Sequence, residues 1–141
     1  MKRLFLCLIG VVFLATPGQA SETLNPEDAA AIRGVIESQL NAFLRDDGNQ
    51  AFAHASPAIQ QQFGSVETFM QMVRMAYPAV YRSNQADFQA PRMVGETVIQ
   101  EVIVTGEDGV SYLAVYTMEQ QDDGTWRING CSLFGVPDIA I

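Results

Sequence analysis

Apolar residues change their spacing once along this chain, near residue 82. Before that point they recur every three or four positions, which predicts amphipathic helices. After it they alternate in β-branched and aromatic runs separated by Glu107-Asp108-Gly109 and Asp122-Asp123-Gly124, which predicts antiparallel strands joined by hairpins. Helices followed by consecutive strands are the α+β order. We therefore expect N-terminal helices packed on a curved antiparallel β-meander.

Capping residues indicate where the helices begin. Asn25-Pro26 predicts the start of a first long helix, because Asn accepts hydrogen bonds from free N–H groups and Pro suits the first turn. An Asp-Asp-Gly turn is expected to end it, and Asn49 to cap a short second helix. Ser56-Pro57 and Ser65 predict two further helices, the last of which ends at Pro78.

The second half of the chain predicts one weak strand and three strong ones. The weak strand covers residues 88–94 and contains Pro91, which cannot donate to a ladder and so belongs at a sheet edge. Residues 78–82 and 83–86 before it are expected to be loops. Trp126 follows the second turn and is expected to be a buried anchor of the meander. The strong strands are predicted over residues 97–105, 110–119 and 125–134.

The first twenty residues have the three parts of a secretory signal peptide. Lys2-Arg3 is a basic start, residues 4–15 are an apolar run, and small residues lead to Ala20. The run is shorter than the roughly 20 residues that span a bilayer, although an uncleaved anchor is the alternative. We expect cleavage after Ala20, a single domain over residues 21–141, and a periplasmic or secreted location.

Cleavage at that point leaves a strongly acidic chain. The full sequence has 8 Lys and Arg against 16 Asp and Glu. Once Lys2 and Arg3 are removed, six Arg and 16 acidic residues remain, which gives a net charge of −10. Because negative charge repels phosphate backbones and anionic lipids, we expect neither nucleic acid nor a membrane as a partner. Solubility alone accounts for such acidity.

Cysteine use follows from the same cleavage. Cys7 leaves with the first twenty residues, so Cys131 is the single remaining cysteine and has no intramolecular disulfide partner. In an apolar strand segment it is expected to be buried and reduced. A reactive thiol or an intermolecular disulfide is the alternative.

Several segments of the chain resemble a known family. They are Ala55–Gln60, Phe63-Gly64 with Phe69 and Met72-Val73, Tyr77–Arg82 and Asp123–Cys131. In these segments the chain resembles the bacterial family called domain of unknown function 4864. The order of a long helix, short helices and a meander ending in Asp-Gly-x-Trp-Arg-Ile is similar to the fold of nuclear transport factor 2. The resemblance implies a bent sheet wrapped on helices, forming a cone with a pocket, and it implies no activity.

No constellation of residues in the sequence compels a reaction. His54 is the single histidine, and without a cysteine pair it cannot build a multi-histidine metal site, so we expect no metal and no cofactor. His54 is expected to be a surface or capping residue, with a general base as the alternative. The acidic pairs at residues 107–108 and 122–123 are explained by turn chemistry, with a bound cation as the alternative.

The candidate site consists of four tyrosines and one arginine. Tyr77, Tyr81 and Arg82 lie at the end of the helical half, whereas Tyr112 and Tyr116 share one strand face. Tyrosine rings supply apolar walls with a hydroxyl, and an arginine fork can grip a carboxylate. We therefore expect a non-catalytic binding or interaction module for a small apolar or carboxylated ligand. Plain core packing of these rings is the alternative.

Two further hypotheses concern the same strands. Some cone-fold relatives transfer protons, and an isomerase- or hydratase-like enzyme without a cofactor would pair Glu101 or Asp87 with the hydroxyl of Tyr112 or Tyr116. A carboxylate facing the pocket favours the enzyme, and an apolar pocket favours binding. The second apolar face of the sheet either curves around the core or is buried in a homodimer.

Overall fold

The computed structural model describes residues 22–136, in which helices come first and strands follow. This confirms the α+β order. The predicted signal peptide lies outside the described residues. The helices are α1 (Pro26–Leu44), α2 (Gly48–Ala53), α3 (Pro57–Phe63), α4 (Val66–Ala76) and α5 (Pro78–Tyr81). The strands are β1 (Glu22–Thr23), β2 (Gln85–Phe88), β3 (Arg92–Val94), β4 (Thr97–Thr105), β5 (Ser111–Gln120) and β6 (Trp126–Gly135).

Three of the predicted helix caps are confirmed. The Asn25 side chain accepts a hydrogen bond from the Asp28 N–H at 2.8 Å. The hydroxyls of Ser56 and Ser65 accept from backbone N–H groups three residues further on, at 3.3 and 3.2 Å. Each of these side chains satisfies an N–H that has no partner within its helix.

The predicted cap of α2 was wrong by two residues. Asp47, not Asn49, caps this helix, and its carboxylate accepts from the Gln50 N–H at 3.2 Å. The physical reason is the residue before it: Asp46 has a φ of 54°, so the chain reverses directly after α1 and the next helix begins early.

The segment after α4 was also predicted wrongly as a loop. Pro78 ends α4 as expected, but it then occupies the first turn of α5, where its fixed φ suits a helix. The Tyr81 N–H donates to the Tyr77 carbonyl at 2.9 Å. Ala79 and Val80 of this single turn are buried, so core packing holds the helix that local sequence did not indicate.

One antiparallel sheet contains all six strands, and the predicted meander β4–β5–β6 is confirmed. The weak strand around Pro91 is split into two strands, β2 and β3, which both pair with the same edge of β4. The short strand β1 pairs with β3. β2 begins at Gln85, inside residues predicted to be a loop. The difference arises because Ala86 packs on the core while it pairs with Val104.

A bulge at Asn129 sets the orientation of the last strand. Gly130 pairs with Thr117, and Ile128 pairs with the next residue of β5, so Asn129 has no partner in the ladder. A bulge shifts the alternation of side chains by one position. As a result, Ile128 and Cys131 both pack on the core, although they are an odd number of positions apart in the strand.

The connection between α2 and α3 is fastened to this bulge. The Ser56 hydroxyl donates to the Asn129 side chain at 2.7 Å, and the Ser56 N–H donates to the Ile128 carbonyl at 2.8 Å. The Ile128 N–H in turn donates to the His54 carbonyl at 2.8 Å. The helices are thereby held against the edge strand of the sheet.

The core lies between the helices and the inner face of the sheet. Trp126 is 7% exposed, as predicted for an anchor, and its indole N–H donates to the Asp28 carboxylate at 3.4 Å. On the outer face, Ile103 and Leu113 are partly exposed and Phe134 is 54% exposed. These three lie opposite one another across β4, β5 and β6.

Candidate functional site

A cavity of about 200 Å³ lies between the helices and the strands β5 and β6. Its walls are mainly apolar, and the exposed Gln62 lies at its rim. Phe69 contacts two other rings in this wall, with centroid separations of 6.1 Å to Phe43 and 5.8 Å to Phe63. Tilted and edge-to-face ring pairs of this kind are favourable beyond the area they bury. Ile59, Val73 and Val80 complete the apolar wall.

Tyr116 carries the most unusual polar atom of this cavity. Its side chain is fully buried, and no group in residues 22–136 forms a hydrogen bond of normal geometry with its hydroxyl. Burial raises the pKa of Tyr116 well above its ordinary value, and the neighbouring Cys131 thiol, a weak hydrogen-bonding group, adds to this. The hydroxyl therefore stays protonated inside an apolar chamber.

Tyr77 lines the same cavity but has its partner. Its hydroxyl donates to the Cys131 carbonyl at 2.9 Å, a contact between α4 and β6. Burial raises its pKa, with a smaller effect from the Cys131 thiol. The two cavity tyrosines are therefore chemically distinct, since one hydroxyl is paired and the other is not.

Cys131 is a free cysteine in the cavity wall, opposite Tyr116 across the strands. Burial raises the pKa of its thiol to about 12, although the Tyr116 hydroxyl opposes part of that shift. Because the thiolate is the nucleophile, this thiol is poorly suited to covalent chemistry. Its side chain packs against the core but is half-buried, not fully buried as predicted.

Gln39 adds a further polar side chain to the wall. It is buried, and its amide donates to the Ala51 carbonyl at 3.0 Å, which joins α1 to α2. A glutamine on the otherwise apolar face of α1, between Ile36 and Phe43, was a signal in the sequence that the prediction did not use. The phenylalanine wall was missed for a different reason, because its members come from three separate helices.

Neither predicted acid reaches the cavity, and among residues 22–136 no carboxylate lines it. Glu101 lies on the outer face of β4 and pairs with Arg92 at 2.7 Å. Asp87 is exposed on β2 and accepts from the Gln85 amide at 3.0 Å. Tyr116 faces inward, so the structure does not bring these acids and that hydroxyl together.

The structure also divides the predicted tyrosine and arginine set. Tyr77 and Tyr116 line the cavity, whereas Tyr81, Arg82 and Tyr112 border a second depression beside Glu107 and Asp108. This second depression is larger, about 410 Å³, but it lies on the far side of α5. The five residues therefore do not form one site.

Arg82 is already paired at the end of α1. One guanidinium nitrogen donates to both carboxylate oxygens of Asp46, at 2.8 and 2.9 Å, and the other donates to the Phe43 carbonyl. The Tyr81 hydroxyl also donates to Asp46. This bond and those from Arg82 lower the pKa of the Asp46 carboxyl. The cluster closes the C-terminal end of α1, where unpaired carbonyls attract a cation.

His54 lies at the end of α2, half-buried and outside the cavity lining. Burial lowers its pKa, and the positive charge of Arg127 lowers it further. His54 occupies the C-cap position of α2, and its backbone carbonyl accepts a hydrogen bond from the Ile128 N–H of β6. Among the described residues, no three His, Cys, Asp or Glu side chains come together as a metal site would require.

The fold and the cavity define a small α+β protein with an apolar chamber between its helices and its sheet. The chain belongs to the family described as domain of unknown function DUF4864, whose model matches residues 25–141. This confirms the family seen in the sequence, whereas its bacterial origin and the nuclear transport factor 2-like cone stay predictions. No curated protein and no solved structure matches the chain. Within residues 22–136, no helix has the length and apolar character that crossing a membrane requires.

Proposed function

We propose that this protein binds a small, mainly apolar ligand in the cavity and does not transform it. The observation that carries the proposal is the fully buried Tyr116 hydroxyl, with which no described protein group forms a hydrogen bond of normal geometry. Buried polar groups in folded proteins are nearly always paired, and exceptions often accompany function. A ligand that meets this hydroxyl would remove the cost of leaving it unpaired.

The size of the cavity sets the size of the ligand. An engineered apolar cavity of about 150 Å³ in another protein holds benzene. The cavity here measures about 200 Å³, which lies below the usual range of roughly 300–1,000 Å³ for pockets that hold drug-sized ligands. The ligand is therefore about the size of a single substituted ring.

Binding is favoured over catalysis by the groups that line the chamber. A proton-transfer enzyme needs a base near the reacting carbon, and the two candidate acids lie outside the cavity. The thiol of Cys131 and both tyrosine hydroxyls stay protonated, because burial raises each of these pKa values. The chamber thus offers apolar contact and hydrogen bonds without an evident base.

The test is native mass spectrometry of protein purified from its own cell envelope, followed by extraction of small molecules. Met72 lines the cavity, whereas Met75 lies on the same helix and is 77% exposed. We expect a bound molecule with the wild type and with the control Met75→Trp, and its loss in Met72→Trp, where the indole fills the chamber. Equal retention by both variants would contradict the proposal, as would a wild type that neither carries a molecule nor binds small aromatic probes.

We also propose that the domain is exported, on the strength of the residue pattern over 1–20. The intact mass of the exported protein should correspond to a chain that begins at Ser21. Leu8→Arg, which interrupts the apolar run, should keep the protein in the cytoplasm. A wild-type chain that retains Met1 and stays in the cytoplasm would contradict this proposal.

A homodimer through the outer face of the sheet is a further proposal. Ile103, Leu113 and Phe134 form a partly exposed apolar row there. Arg92 and Glu101 on that face form an ion pair. Because their charges cancel, these two residues add no net repulsion between two acidic chains that meet there. Sedimentation equilibrium should give the mass of a dimer for the wild type and of a monomer for Leu113→Lys. A wild type that is monomeric at every concentration would exclude this interface.

A further inference from the structure

We propose that the ligand of the cavity is a neutral, single-ring aromatic molecule whose oxygen atom accepts a hydrogen bond from Tyr116. This inference rests on the proposed binding function and adds the charge, shape and polar group of the ligand. Three features of the cavity support this inference. Its described lining has no charged side chain, the Tyr116 hydroxyl has no hydrogen bond of normal geometry, and a cluster of phenylalanine rings forms part of the wall.

Neutrality follows from the residues of the wall. Among residues 22–136, no arginine and no carboxylate lines the cavity. Arg82 and Arg92 lie elsewhere and are paired with Asp46 and Glu101. An ion that enters an apolar site without a counter-charge loses its hydration and gains no compensating interaction, so its binding is strongly disfavoured. A carboxylated ligand, one of the two classes expected from the sequence, is therefore disfavoured in this chamber.

The polar group follows from the hydroxyls. Tyr77 already donates to the Cys131 carbonyl, so its proton is engaged. Tyr116 has only the weak Cys131 thiol beside it and no hydrogen bond of normal geometry, and burial keeps it protonated. Its proton is available to an acceptor on the ligand, and a carbonyl or ether oxygen supplies one without adding charge.

The shape follows from the aromatic wall. Phe43 and Phe63 lie on two sides of Phe69 at centroid distances of 6.1 and 5.8 Å. A flat ring can add a further tilted or edge-to-face contact to such a cluster. The volume of about 200 Å³ leaves room for one substituted ring.

Four probes of nearly equal size test these features separately in titrations followed by NMR. Acetophenone has a carbonyl oxygen, α-methylstyrene replaces that oxygen by a CH₂ group, benzoate is an anion, and phenyltrimethylammonium is a cation. The protein is the exported chain, residues 21–141. The matched variants are Tyr116→Phe and Tyr77→Phe, each of which removes one cavity hydroxyl.

The decisive quantity is the ratio of the Kd for α-methylstyrene to the Kd for acetophenone. We expect this ratio to fall about five- to tenfold in Tyr116→Phe, the value of one net hydrogen bond, and to change less than about twofold in Tyr77→Phe. Benzoate and phenyltrimethylammonium should bind at least about tenfold more weakly than acetophenone.

The outcomes separate this inference from the function it rests on. If both neutral probes bind but Tyr116→Phe leaves the ratio unchanged, or if either ion binds more tightly than the ketone, the inference is overturned while the binding function stands. If no probe binds and no molecule co-purifies, the binding function itself fails. Should Tyr116→Phe not fold, the carbonyl stretch of acetophenone bound to the wild type replaces the variant. A shift to lower wavenumber than in hexane supports the hydrogen bond, and no shift overturns it.

Discussion

Removing the Tyr116 hydroxyl should stabilise the ligand-free protein, whereas removing the Tyr77 hydroxyl should destabilise it. Both side chains line one cavity, and both variants replace tyrosine by phenylalanine. They differ in whether a protein group pairs with the hydroxyl, since Tyr77 donates to the Cys131 carbonyl at 2.9 Å and Tyr116 has no such bond.

The expected magnitudes follow from that difference. Burying a hydroxyl without a partner costs about 1–3 kcal/mol, so Tyr116→Phe should raise the free energy of unfolding by about 1 kcal/mol. Loss of the hydrogen bond in Tyr77→Phe should lower it by about 0.5–1.5 kcal/mol. The two variants should therefore differ by about 2 kcal/mol, a large share of a domain's total of about 5–15 kcal/mol.

Urea unfolding of protein refolded from denaturant, and so freed of bound molecules, measures both changes. With an m value of about 2 kcal/mol/M, the midpoint should rise by about 0.5 M for Tyr116→Phe and fall by a similar amount for Tyr77→Phe. Equal losses of stability in the two variants, at unchanged m, would refute the view that the Tyr116 hydroxyl is unpaired. The candidate site would then lose its main support.

Four further predictions follow from single contacts. Trp126→Ala should cost about 3–5 kcal/mol in urea unfolding because the ring is buried, whereas the exposed Phe134→Ala should cost less than about 1 kcal/mol; equal costs would mean that the indole is not an anchor. Thiol labelling of native Cys131 should be slow at pH 8 and accelerate on unfolding, since burial raises its pKa to about 12; fast native labelling would indicate a reactive thiol. Arg82→Ala should lower the Tm and leave acetophenone affinity unchanged, because the guanidinium is paired with the end of α1; lost affinity in a stable variant would restore Arg82 to the site. Because the folded protein lowers the pKa of His54, the contribution of His54 to folding stability is present above pH 6.5 and is lost as the pH falls below that value. The Tm of His54→Gln should therefore fall less than the Tm of the wild type between pH 7 and pH 5. Identical Tm profiles for the two proteins would contradict this.

Local sequence signals predicted most of the secondary structure. The caps at Asn25, Ser56 and Ser65 depend on bonds that span three residues, so a short stretch of sequence contains both partners. The strand β4 has the predicted bounds, Thr97–Thr105, since an alternating β-branched run between turn residues leaves little choice. The errors at α2, α5 and β2 have two causes. Backbone reversal at Asp46 and the packing of Ala79 and Ala86 on the core override weak local preferences.

The sequence by itself determined the order of helices and strands, the acidic charge and the family of this protein. It also placed Tyr116 on the same strand face as Tyr112, because side chains alternate along a strand. Tertiary structure alone decided which hydroxyl is paired: Tyr77 meets Cys131 across 54 positions of chain, and the bulge at Asn129 turns Cys131 inward. Contacts of this kind depend on how separate elements pack, and no local pattern of residues encodes them. The cavity is therefore a property of the packed fold, built from side chains that separate helices and strands contribute.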